Sequence, residues 1–195
     1  MKLGKLLLVA VGASALLGAL VSSASARSLE VSSQTTTALW TALRFAGGFG
    51  TIECEIRVSG SFHGRTSAKA VNSLSGYITE AVVLRCRTGG ATINQASFPW
   101  HRRFRGFTGT LPNITGTSDT ITGAEWSIRE PVFGVTCTVR RESSSVIGTY
   151  TISSGTVTRA EVSGTSPCSG FSGTLSGSTT NVTEGRGARI TVRLI

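Results

Sequence analysis

The densest chemistry in the chain lies between Phe98 and Phe107. Four aromatics, three arginines and one histidine fall within these ten residues. Arginine forks recognise phosphate and carboxylate, aromatic rings stack on sugars and bases, and an imidazole exchanges a proton near neutrality. A second histidine, His63, sits in Ser61-Phe62-His63-Gly64-Arg65-Thr66. His63, Arg65, Trp100, His101, Arg102, Arg103 and Arg105 thus form a candidate binding set for a polyanion, either an anionic cell-envelope polymer or nucleic acid. As a strand, the segment puts Phe98, Trp100, Arg102 and Phe104 on one face. His101, Arg103, Arg105 and Phe107 take the other. A purely structural explanation competes and weighs more: an amphipathic strand with aromatics in the core and arginines in water.

Other reactive side chains form weaker constellations. Glu53 and Glu55 share a strand face about 7 Å apart, a spacing set by strand rise. Paired carboxylates serve glycosidases, but those pairs come from different strands in a cleft. On one alternating strand they read as a solvated face. Asp119 is the only aspartate, in a Gly/Thr/Ser-rich stretch, and is expected to support a turn. Nucleophile-elbow, zincin, phosphate-loop and C-x-x-C motifs are absent. Two histidines without an evident third ligand do not define a metal site. The sequence therefore assigns no catalytic residue, metal or cofactor, and a non-enzymatic protein is expected.

Four cysteines, Cys54, Cys86, Cys137 and Cys168, suit two disulfides in an oxidising compartment. Zinc needs close-spaced ligand pairs, which the chain lacks. Four cysteines allow three connectivities. Matched spacings and similar strands around Cys54 and Cys137 favour 54–86 and 137–168. Each bridge closes a loop of about 30 residues, worth about 3–4 kcal/mol in the chain-entropy treatment.

The elements that must position these residues are short strands. Thr, Val and Ile alternate between Gly/Ser breaks. Over 51–58, Ile52, Cys54, Ile56 and Val58 face one way and Glu53, Glu55 and Arg57 the other. Residues 133–141 and 188–195 repeat the scheme. Further strands are predicted at 39–45, 74–84, 91–96, 98–107, 120–129, 146–153, 156–162 and 171–176. About ten short strands imply one all-β domain, an antiparallel β-sandwich or β-barrel. A barrel adds another function: carriage of a small apolar ligand in its lumen.

The 195 residues carry a formal charge of +9, with 15% of them charged. Low charge and abundant Gly, Ser and Thr exclude a coiled coil and a disordered polyelectrolyte. Residues 1–26 read as a signal peptide. Lys2 and Lys5 precede an apolar run from Leu6 to Val21, and Ala24-Ser25-Ala26 supplies the cleavage site. The run is short for a bilayer span. The secreted domain is then 27–195, with no membrane span and a charge of +7 once Lys2 and Lys5 are gone. Its basic residues are sixteen arginines and one lysine, which points to coding bias and weakens the inference from charge to a polyanion partner.

The blocks FGTIECEIRVSGSFHGRT, Cys86 with the following TGG, PWHRRFRGFTGTLPNIT and the terminal ITVRLI supply a resemblance. Over residues 40–195 the chain resembles uncharacterised secreted proteins of high-GC soil bacteria. That resemblance implies export and a β-rich single domain, and it transfers no catalytic residue. The G-x-W that marks the first strand of lipocalins is missing around Trp40. The combined expectation is a secreted, disulfide-stapled β domain that binds something at or outside the cell surface.

Overall fold

The computed structural model describes residues 28–195 except 49, 69, 111–112, 133, 143–144, 166 and 168–171. The expected signal peptide lies outside the described residues, as does Cys168 and with it the expected 137–168 bridge.

The described chain is nearly all β, and its large sheet closes into a barrel. The barrel strands are β2 (Thr35–Gly47), β3 (Gly50–Phe62), β5 (Leu74–Cys86), β7 (Trp100–Thr110), β8 (Asn113–Thr122), β11 (Ser145–Ser153), β12 (Thr156–Thr165) and β13 (Gly173–Thr179). Each pairs antiparallel with the next, and β13 pairs back onto β2, Gly173–Ser176 against Gly47–Arg44. The result is an up-and-down barrel of eight strands, which removes the exposed edges of an open sheet. A short β14 (Val182–Thr183) also pairs with β2.

Two small sheets cover the barrel ends. At one end, β1 (Ser28–Val31) lies between β15 (Val192–Leu194) and β4 (Thr66–Ala68). Leu29 pairs with Leu194, so both ends of the described chain join in one cap. At the other end, β9 (Trp126–Arg129) lies between β6 (Gly90–Ile93) and β10 (Thr136–Val139). Each cap is built from segments between barrel strands or from the chain ends, and each turns apolar side chains toward the barrel interior.

Alternation decides which side chains face inward. On β3, Ile52, Cys54 and Ile56 are buried as expected, while Glu53 and Glu55 face outward in ion pairs. Glu55 pairs with Arg85 at 2.6 Å and Glu53 with Arg87 at 3.0 Å. Between these ion pairs, Cys54 and Cys86 sit opposite each other in register and form the expected disulfide. On β2 the inward phase runs through Trp40 and then switches to Leu43 and Phe45, because a bulge intervenes.

Some expected elements are corrected. The segment 120–129 is not one strand: β8 ends at Thr122 and β9 starts at Trp126. Gly123, with φ of +85°, turns the chain between them. Residues 91–96 split into β6 and a 3-10 turn, Gln95–Ser97, where Asn94 Oδ1 accepts from the Ala96 amide at 3.1 Å. Only part of 133–141 and of 188–195 is strand, although Ile190 and Val192 are buried as their alternation predicts. Asp119 does not support a turn. It is buried within β8, on the same face as Ile121.

Candidate functional site

The barrel interior holds a cavity of about 150 Å³. Its wall is mostly apolar, and the two halves differ. Toward the β6/β9/β10 cap, Phe45, Trp100, Trp126 and Ile93 surround it. The Phe45 and Trp126 rings are 6.2 Å apart and tilted. Toward the β1/β4/β15 cap, the lining changes to Phe62, Ser75, Arg102, Asp119 and Tyr150, closed over by Leu29, Val31 and Val192.

The polar half is built by strand register. Gly76 on β5 pairs with Arg102 on β7, which pairs with Ile121 on β8; Asp119 lies two residues back on the same face. Arg102 Nε donates to Asp119 Oδ2 at 3.0 Å and Arg102 Nη2 donates to the same oxygen at 2.5 Å. Ser75 Oγ donates to Asp119 Oδ1 at 2.9 Å and lies 3.1 Å from the Arg102 carbonyl oxygen. Both carboxylate oxygens are therefore occupied. The guanidinium carbon lies 5.0 Å from the Phe62 ring centre and 4.9 Å from that of Tyr150. Cation–π attraction thus adds to the ion pair in a desolvated setting.

Arg102 and Asp119 are only 4% exposed, which makes this a fully internal pair. Burial works against the Arg102 charge, and the Asp119 carboxylate beside it, with its hydrogen bonds, offsets that cost. The arginine pKa is held above its ordinary value. Burial pushes the Tyr150 phenol up, with Arg102 opposing, so Tyr150 remains a neutral O–H donor. The buried charges of the lumen wall, Arg102 and Asp119, consequently cancel; Glu161, which also lines the cavity, is half exposed and pairs with Arg159. Two glycines let β3 and β5 approach closely here: Gly60 pairs with Ile78 and Gly76 with Phe62, and a Cβ at either would meet backbone oxygen at 2.3 Å.

The expected seven-residue binding set divides between inside and outside. Trp100 and Arg102 are in the lumen wall, and Trp100 Nε1 donates to Ser97 Oγ at 2.8 Å. This corrects the expectation that Arg102 and Trp100 can meet a polymer at the surface. His63, Arg65, His101, Arg103 and Arg105 are exposed. The two histidine rings flank Tyr77, at 6.0 Å and 5.5 Å between centroids, on the outer wall. They share a tyrosine rather than a carboxylate. Arg103 Nη1 donates to the Asn72 carbonyl at 3.1 Å. Among the described residues, no group of three His, Cys, Asp or Glu is placed to hold a metal ion.

Sequence reasoning missed Ser75, Asp119, Tyr150 and Trp126 as lumen residues. A signal existed for the ion pair: one charge of each sign lies on an apolar face, Arg102 between Trp100 and Phe104, and Asp119 two residues before Ile121. A pair of opposite charges on facing apolar stripes is the pattern of an internal ion pair.

An eight-stranded, capped barrel with an internal ion pair defines the architecture and the site. The chain matches no family model, no curated protein and no solved structure.

Proposed function

We propose that this chain is an exported, non-enzymatic binding protein that carries one small, neutral, mainly apolar molecule in its barrel lumen. The observation that carries this reading is the cavity of about 150 Å³ lined by residues of all eight strands and both caps. Eight strands leave an interior that side chains just fill or that holds one small ligand. Apolar cavities of about 150 Å³ accommodate benzene-sized molecules. Neutrality follows from the wall: Asp119 already compensates Arg102, so a charged ligand would be desolvated without a free counter-charge. Export is supported by the signal-like N-terminus and by the Cys54–Cys86 disulfide.

Gly148 supplies the test. It lines the cavity opposite Asp119, and a Cβ there would make ordinary contacts at 3.5 Å or more. Gly148→Val therefore fills the lumen without a backbone clash. Toluene raises the melting temperature of the wild-type protein in a concentration-dependent way, and Gly148→Val abolishes the rise while keeping the far-UV spectrum. Toluene-independent melting of the wild type would sink the carrier reading.

A second reading rests on the outer row His63–Tyr77–His101 with Arg65, Arg103 and Arg105. These rings and cations lie outside the barrel and suit a polyanion chain. Binding of heparin or a teichoic-type polymer that weakens steeply with salt and is lost in Arg103→Ala/Arg105→Ala is its expected signature. Binding that ignores these arginines would exclude it.

A further inference from the structure

Tyr150 carries a hydroxyl that the protein leaves unused. It stands on the inward face of β11, two residues after Gly148, and lines the lumen beside Arg102. Its oxygen lies inside the barrel: a Cβ on Gly148 would stand 3.5 Å from Tyr150 Oη and 3.6 Å from Ile121 Cδ1. Residue 148 has no side chain, so the space beside that oxygen belongs to the cavity. Among the described residues, none is hydrogen-bonded to Tyr150 Oη. Trp126 Nε1 and Ser67 Oγ also lack partners, but both are shut off from any surface, and Tyr150 Oη is not. Tyr150 is half-buried by area, yet burial is the main cause that raises its phenol pKa. The surface it keeps therefore faces the lumen and not the outer water.

A hydroxyl donates or accepts, and its neighbours decide which. The carboxylate of this half is taken, since Asp119 accepts from Arg102 and Ser75. The Arg102 guanidinium, 4.9 Å from the Tyr150 ring centre, favours negative charge on the phenol oxygen and so sharpens its O–H as a donor. We infer that the lumen ligand carries one neutral hydrogen-bond acceptor, such as a ketone, aldehyde or ether oxygen, and that Tyr150 Oη donates to it. This rests on the carrier reading and narrows it from any small apolar molecule to one with a single acceptor. The ligand's oxygen sits at the Arg102–Asp119 half, and its hydrocarbon body extends toward Phe45, Trp100 and Trp126.

The test compares cyclohexanone with methylenecyclohexane, which has the same shape but a methylene in place of the oxygen. Affinities for both are measured by titration calorimetry on the wild-type protein and on Tyr150→Phe, which removes only the hydroxyl. The ketone-to-alkene affinity ratio is expected to fall about tenfold in Tyr150→Phe, the equivalent of one hydrogen bond. The infrared carbonyl stretch of bound cyclohexanone is expected at lower frequency in the wild type than in Tyr150→Phe. Where that variant does not fold, the wild-type band is compared with the ketone in hexane, and a band at the hexane position overturns the inference. Binding of both probes with an unchanged ratio and an unshifted band means that water, not the ligand, meets the hydroxyl. That result overturns the acceptor inference while leaving the carrier reading intact. Binding of neither probe defeats the carrier reading itself, and the inference with it.

Discussion

The two faces of β7 carry the same residue type to opposite ends. Arg102 points into the barrel between Trp100 and Phe104, at 4% exposure, and is held by Asp119, Ser75, Phe62 and Tyr150. Arg103 and Arg105, next on the outer face, stand in solvent. One residue of register separates a charge in a low-dielectric interior from charges screened by water and salt. The inner arginine is structural and defines the lumen's polarity. The outer ones are exposed, Arg103 with a hydrogen bond to the Asn72 carbonyl. The lesson is that a basic run on a strand is two populations, and only half of it is surface.

The largest effect is expected from breaking the inner pair on one side. Asp119→Ala leaves Arg102 buried and uncompensated, a loss of about 3–5 kcal/mol in denaturant unfolding. Replacing both, as Arg102→Met/Asp119→Leu, restores most of that loss, because two apolar groups of similar volume need no partner. A double variant as unstable as Asp119→Ala would mean that the ion pair holds the barrel together in its own right.

A smaller effect separates the faces by pH. The Tyr150 phenol titrates higher in the folded protein than in the unfolded chain. The folded state then binds more protons above about pH 10, the ordinary tyrosine value, and stability falls as pH rises through that region. Below it the contribution is fully present. Tyr150→Phe flattens this alkaline loss in a melting-temperature profile. An unchanged slope would place the alkaline loss elsewhere. Smallest of all are Arg103→Ala and Arg105→Ala, each within about 1 kcal/mol of wild type in the same unfolding assay. A larger loss at either would erase the distinction between the faces.

Much of the fold was legible locally. Ile52, Cys54 and Ile56 announce an inward stripe, and Glu53 and Glu55 an outer one, as the structure shows. The split of β7 into Trp100/Arg102/Phe104 and His101/Arg103/Arg105 also follows from period-2 alternation. Closure of the barrel was not legible. It depends on Gly173–Ser176 meeting Gly47–Arg44, a long-range pairing with no local mark. The bulge between Trp40 and Leu43 hides the inward stripe of β2 by shifting its phase. The caps use strands of three or four residues, too short for a period to show. The lumen site was half legible. The charge of Arg102 marks it in the sequence, but the Gly/Thr/Ser surroundings of its partner Asp119 suggest a loop.

Xenon tests most directly the proposal that the lumen takes up a small apolar guest. Diffraction from crystals pressurised with xenon is expected to show a bound atom inside the barrel, between Trp126 and the Arg102–Asp119 pair. The same site should be empty in Gly148→Val. Xenon confined to other places, or a lumen filled by its own side chains, would contradict the carrier account.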